Sequence, residues 1–315
     1  MGMQVFGAAE TQNNSNAASY LRSIEKELGR KLSRQETEEY LGKFWENIGF
    51  TNDFVFAKVM QDTELSGKFL KLLFPEFDVF SIECLNLQEP IRSSYDAKGV
   101  RLDVRIGDAV GKIYDLEMQV AINSNLPRRT RYYQSALDQQ LIEKGAEYYS
   151  LRDCYLIFIC PVDMFGRNRR IYTFRNMCVE DRDIFLNDGA TKIFLNASGT
   201  VGEVGNGMQN FLDYVATGKV TDDYTKALNG SVDRAGVKRA WKEEFMMMSV
   251  REMDAREEGR EEGREEGSTQ AMLKFASFKL NQGDSENSTI NDLVSIFKID
   301  ETAARFIIQR IEIER

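Results

Sequence analysis

The chain has 315 residues, 42% hydrophobic and 29% charged, with a formal net charge of −9, which suits a globular protein with one substantial domain and appendages. It contains no histidine, and this excludes His-based hydrolases, HNH- and HUH-type nucleases and most zinc enzymes. No run approaches the roughly 20 apolar residues of a membrane span, and the N-terminus has no secretory pattern, so a cytoplasmic protein with no membrane partner is expected.

In chain order, residues 1–19 are polar and small, and 20–48 predict one or two helices with Leu21, Ile24 and Leu28 on one face. Thr51 or Asn52 is placed to cap a short helix over Asp53–Met60. Asp62 is placed to cap another, whose Leu65, Phe69, Leu72 and Leu73 recur at helical spacing and which Pro75 ends. From Val79 the pattern changes to strands. Val79–Leu87 is the first, and Val100–Ile106 with Ile113–Val120 reads as a hairpin around Gly107–Gly111. A helix from about Arg128 to Lys144 leads to Cys154–Cys160, a wholly apolar run typical of a buried central strand. Arg170–Phe174 and Lys192–Asn196 complete the strands, and together these elements predict an α/β fold with a mixed central sheet flanked by helices.

Beyond Gly205 the pattern is helical, through Phe211–Tyr214 and again over Val237–Val250. Three consecutive Arg-Glu-Glu-Gly repeats occupy 256–267, and 268–315 read as a small helical unit with a turn near Asp300. The expected divisions are therefore 1–48, a core over 49–204, a helical extension over 205–250, a repeat arm over 251–267 and a tail over 268–315. The repeats read as a solvated helical arm, with self-association along the glycine stripe as a weaker option for a homo-oligomer. The tail suits ordinary helical packing better than a helix-turn-helix reader, because its last helix carries only Arg305 and Arg310.

The four cysteines, Cys84, Cys154, Cys160 and Cys178, form no C-x-x-C pair, and the first three lie in apolar or strand-like surroundings. Core packing is expected, not disulfides or zinc. The acidic net charge weighs against nucleic-acid binding, but it is uneven. Residues 251–267 carry four Arg against eight Asp/Glu, whereas 97–152 carry nine Lys/Arg against seven Asp/Glu.

That second stretch contains the chemistry. Alternation along a strand puts Arg101, Asp103 and Arg105 on one face of the hairpin's first strand, and Asp115, Glu117 and Gln119 on one face of the second. If the turn centres on Val110, Asp103 stands across from Glu117, Arg105 from Asp115 and Arg101 from Gln119. Opposed carboxylates destabilise a sheet unless a cation lies between them, and Mg²⁺ favours one or two carboxylates with waters and a phosphate. Gln119 points to the same place and can orient a water. Pattern alone leaves a second reading open, a solvated face neutralised by cross-strand Arg–Asp pairs.

The segment KGVRLDV, nine residues, then YDLEMQ, with TNDFVFAKVMQD and LLFP upstream, resembles the PD-(D/E)xK family of recombination-promoting (Rpn-type) nucleases and transposases. The likeness continues through RYYQSALDQQLIEKGAEYYSL, RRIYTFRNMCVEDRD and DGATKIFLNASGT to the repeats, roughly residues 50–267. It implies a restriction-endonuclease-like core with a helical C-terminal extension, and a Mg²⁺- (or Mn²⁺-) dependent DNA endonuclease without a small-molecule cofactor. By position it implies metal binding by Asp103 and Glu117, with Gln119 in place of the superfamily's lysine. It also matches Asp53 to an acidic position that holds a metal-bound water, although an Asp in a first helical turn is favourable there in any case. Arg128, Arg129 and Arg131, clustered with Tyr132 and Tyr133 just after the hairpin, suit DNA phosphates or, equally, an arginine-rich surface with tyrosines packed inward. The rival function is a catalytically weak or silent protein on the same fold that binds nucleic acid or recruits a partner.

Overall fold

A computed structural model describes residues 17–77, 82–85, 103–122, 124–142, 144–233 and 235–313. The polar 1–16 segment, Arg101 and the outer parts of the Val79–Leu87 and Val100–Ile106 expectations lie outside the described residues. Two compact units divide at Met246 and Met247.

The first unit opens with helices α1 (Ala17–Leu28) and α2 (Arg34–Glu46). Ser33 starts α2 with a reciprocal cap, accepting from Glu36 N–H while the Glu36 carboxylate accepts from Ser33 N–H. Of the expected α1 face, Leu21 is buried but Leu28 is exposed. Helix α3 (Asp53–Met60) is capped by Asn52, whose Oδ1 accepts from Phe54 and Val55 N–H. Asp62 caps α4 (Thr63–Leu73) in the same way.

Six strands follow: β1 (Ile82–Cys84), β2 (Val104–Asp108), β3 (Ile113–Met118), β4 (Cys154–Cys160), β5 (Ile171–Phe174) and β6 (Ala190–Asn196). They form one mixed sheet in the order β1-β2-β3-β4-β6-β5, with β3, β4 and β6 mutually parallel and the remaining pairs antiparallel. Helix α5 (Leu126–Leu141) makes the crossover from β3 to β4, with Pro127 in its first turn, where the missing N–H costs nothing.

The hairpin register is the one the turn predicts: Val104 pairs with Leu116 and Arg105 with Asp115. Asp108 fixes it. Its Oδ1 accepts from Val110 and Lys112 N–H, its Oδ2 from the Tyr114 hydroxyl, and its own N–H bonds Lys112 O. Gly111, at φ +89°, takes the left-handed position of the turn. Gly107 corrects the sequence reading, because it lies inside β2 and pairs with Glu83, not in the turn. A Cβ at this position would meet the Leu85 side chain at 3.1 Å.

Both faces of the sheet are covered. On one, Leu126 and Leu137 of α5 pack with Cys154, Leu156, Phe158 and Cys160. On the other, Tyr114 and Tyr155 stack at 5.2 Å and meet the Phe74 ring. Burial raises the Cys154 and Cys160 thiols to about 12, and both lie in the core as expected, whereas Cys84 and Cys178 are half-buried. Helices α6 (Asn206–Thr217) and α7 (Asp223–Asp233) extend this unit. The Tyr224 hydroxyl donates to Leu65 O on α4 at 3.1 Å.

Helix α8 (Ala235–Asn281) is continuous through the repeats, of which residues 257–267 lie exposed along it. In the second unit, Met272 and Ala276 of α8 pack with Ile290 and Leu293 of α9 (Glu286–Phe297) and with Ala304, Ile307, Ile308 and Ile311 of α10 (Glu301–Ile313). Arg305 is held by Glu301 at 2.6 Å. Among the described residues no helix is long and apolar enough to cross a membrane. A Cβ at Gly259, Gly263 or Gly267 would meet nothing within 4 Å. Replacing all three with alanine should raise helicity and stability by up to about 0.8–1.0 kcal/mol per site, read by circular dichroism melting; destabilisation would mean the glycines are needed structurally.

Candidate active site

The polar face of the hairpin is not solvated. Arg105, Asp115, Glu117 and Gln119 are all buried, with Asp115 at 0% exposure. The cause is topological. Strand β3 lies inside the sheet, paired with β2 and β4, and the register places Asp115 beside Leu156 and Glu117 beside Phe158, the residues on which α5 packs. Acidic side chains on this face therefore sit under a helix.

Asp103, immediately before β2, and Glu117 are tied to each other's strands. Asp103 N–H donates to Glu117 Oε1 at 3.1 Å, and Met118 N–H donates to Asp103 Oδ2 at 3.0 Å. Each carboxylate thus has one oxygen held by backbone. Burial raises the Glu117 carboxyl well above its ordinary range, reinforced by the charges of Asp103 and then Asp115, while Arg129 and the Asp103 N–H oppose the shift. Asp115 behaves alike, raised first by burial and then by Asp103, against the attraction of Arg105 and Arg129.

Asp115 is the residue that sequence reasoning passed over. Although Arg105 is its cross-strand partner, Arg105 Nη1 donates to Gln140 Oε1 of α5 at 2.8 Å. Both Asp115 oxygens, and Arg105 Nε and Nη2, are buried without a hydrogen-bond partner among the described residues. The expected Arg–Asp neutralisation is therefore not realised as a bonded pair. The signal was present in the alternation, since Asp115 shares its face with Glu117.

Gln119 is buried and fixed at both ends. Its Nε2 donates to Ala121 O at 2.6 Å, and its Oε1 accepts from Arg129 Nη2 at 2.6 Å. The arginine cluster is split. Arg128 and Arg131 are exposed on α5, whereas Arg129 turns inward, its Nη2 3.7 Å from Glu117 Oε2 and its guanidinium 5.3 Å from the Tyr133 ring and 5.7 Å from the Phe158 ring. Tyr133 is half-buried over this group, and burial followed by the Glu117 charge raises its hydroxyl pKa. Asp53 is exposed in the first turn of α3, with Oδ1 accepting from Phe54 N–H at 2.8 Å.

Asp103, Asp115 and Glu117 stand against two guanidiniums, Arg105 and Arg129, so the carboxyl groups outnumber the cations facing them. Two of the acids carry the burial penalty, and one has both oxygens unpartnered. An all-oxygen, net-negative site of this kind fits a hard divalent cation. Among the described residues no group of three or more His, Cys, Asp or Glu side chains is arranged to hold a metal ion, and Asp103 and Glu117 are the two carboxylates that the hydrogen bonds bring together.

Residues 50–203 match the model of a family described as PD-(D/E)XK nuclease family transposase. No curated protein and no solved structure matches the chain.

Proposed function

From the membership of residues 50–203 in the PD-(D/E)XK nuclease transposase family, we propose that the chain is a cytoplasmic, Mg²⁺-dependent DNA endonuclease of the recombination-promoting, mobile-element class. The observation that carries this reading is the reciprocal lacing of Asp103 and Glu117 across the hairpin, which holds a half-buried and a buried carboxylate together where a cation offsets their repulsion.

Asp103 and Glu117 hold the ion. A bound divalent ion supplies Lewis-acid stabilisation of phosphate charge and a lowered pKa for water. Gln119, locked by Ala121 O and Arg129, presents a fixed amide for orienting water, and Asp53 at the start of α3 holds a further water. Helix α5 and the sheet exclude bulk solvent from the buried side of the pair, which strengthens each electrostatic contact there. Arg128 and Arg131, exposed on α5, hold backbone phosphates and so position DNA without reading sequence.

The test is cleavage of supercoiled plasmid by wild type and Asp103→Ala, with Mg²⁺ and with EDTA. Nicking by wild type in Mg²⁺ alone supports the reading. Equal nicking by Asp103→Ala overturns the site assignment. No cleavage by wild type leaves a nucleic-acid-binding or partner-recruiting protein on this fold. Replacing Arg128 and Arg131 with alanine should weaken DNA binding uniformly across sequences and flatten its log–log salt dependence by about 0.9 per lost contact. An unchanged slope, measured by fluorescence anisotropy, would remove them from the interface.

A further inference from the structure

We propose that Arg129 is the fixed cation of this active site, supplied from α5 in place of the lysine that position 119 lacks; the inference rests on the nuclease reading above. By the resemblance, Glu117-Met118-Gln119 stands at the (D/E)xK element for which the matched family is named. A glutamine carries no charge, yet hydrolysis of a phosphodiester builds negative charge that a preorganised cation stabilises.

Arg129 occupies the place such a cation needs. Its Nη2 lies 2.6 Å from Gln119 Oε1 and 3.7 Å from Glu117 Oε2, at the tip of the side chain that a lysine would replace. The Gln119 amide is oriented for this contact, because its nitrogen is spent on Ala121 O and its oxygen is left to accept. A lysine at 119 would set two cations against each other, so a neutral acceptor at 119 and an arginine at 129 complement one another.

The guanidinium is also fixed. Leu126 and Leu137 anchor α5 in the core, and the Tyr133 and Phe158 rings flank the charge. Its Nε is buried with no hydrogen-bond partner among the described residues. Even so, the side chain keeps 31% exposure, which leaves the group open to an incoming phosphate. Arg129 thereby differs from Arg128 and Arg131, which are exposed on the same helix.

The experiment moves the charge back to the strand. Full-length wild type, Arg129→Gln, Gln119→Lys and the double variant Gln119→Lys/Arg129→Gln are compared in single-turnover cleavage at saturating plasmid with Mg²⁺. DNA binding is measured separately with Ca²⁺ in place of Mg²⁺. Arg129→Gln should lose about 100-fold or more in rate with DNA affinity nearly unchanged, and the double variant should recover most of that loss. Gln119→Lys alone, with two cations in contact, should cleave more slowly than the double variant.

A double variant as slow as Arg129→Gln would overturn the proposal, as would a rate loss that weaker DNA binding explains in full. Should Arg129→Gln fail to fold, Arg129→Lys replaces it. That variant keeps the charge and must retain most of the wild-type rate, with a loss as large as Glu117→Gln counting against the proposal. If wild type does not cleave at all, the nuclease reading fails and takes this inference with it. If wild type cleaves and Arg129→Gln cleaves as fast, only this inference fails.

Discussion

Glu117→Gln is expected to fold at least as well as wild type and to lose metal-dependent cleavage by about a thousandfold. The substitution preserves shape and keeps an acceptor for Asp103 N–H, while removing one of the two carboxylates placed to hold the ion. Loss of the several kcal/mol that such an ion contributes to the transition state corresponds to about three powers of ten at roughly 1.4 kcal/mol each. The same substitution should abolish the rise in melting temperature that Mg²⁺ gives wild type, because a ligand stabilises only the folded state that binds it. Single-turnover cleavage and differential scanning fluorimetry with and without Mg²⁺ measure the two effects. Undiminished cleavage would remove Glu117 from the site.

Asp115→Asn should stabilise the fold by roughly 1–3 kcal/mol at neutral pH, which is unusual for a substitution at a fully buried position. Wild-type Asp115 is raised by burial and by Asp103 more than Arg105 and Arg129 lower it. Neutralising it leaves Asp103 and Glu117 facing Arg105 and Arg129, an even balance. The pH dependence has a definite sign. Below the unfolded value of about 3.9 the carboxyl is neutral in both states and costs nothing. As pH rises from there toward the raised folded value, the unfolded chain ionises while the folded one resists, so wild type loses stability. The gain from Asn should therefore grow as pH rises from about 4 to neutrality, vanish below pH 4, and shrink when Mg²⁺ favours the ionised form. Urea denaturation of both proteins at the two pH values reads this directly. A loss of stability at neutral pH would mean that the attraction to Arg105 dominates.

These two effects lie on a part of the molecule that was only half legible in the sequence. The hairpin register was readable because Asp108, Gly111 and strict alternation fix it, and β4 was readable because an apolar run of that length leaves little choice. The depth of the acidic face was not. Whether Asp115 and Glu117 meet solvent or a helix depends on β3 standing between β2 and β4 with α5 above them, a long-range fact that alternation within one strand does not contain. Gly107 was misplaced for a similar reason, since only the approach of Leu85 shows why a strand residue there lacks a side chain. Arg129 carried a usable local signal, because it shares a helical face with Tyr133 and Leu137 at spacings of four and eight. Its position between Arg128 and Arg131 disguised that face as a surface cluster. The role of Asp53 stays with the family resemblance, as the structure places it exposed in the first turn of α3.

The most direct measurement is a calorimetric titration of Mn²⁺ into wild type, Asp103→Ala and Glu117→Gln, each verified as folded. The pairing of Asp103 with Glu117 across the hairpin predicts a saturable site in wild type that is lost in both variants. Identical isotherms for all three proteins would contradict it, since the carboxylates laced together there would then hold no ion.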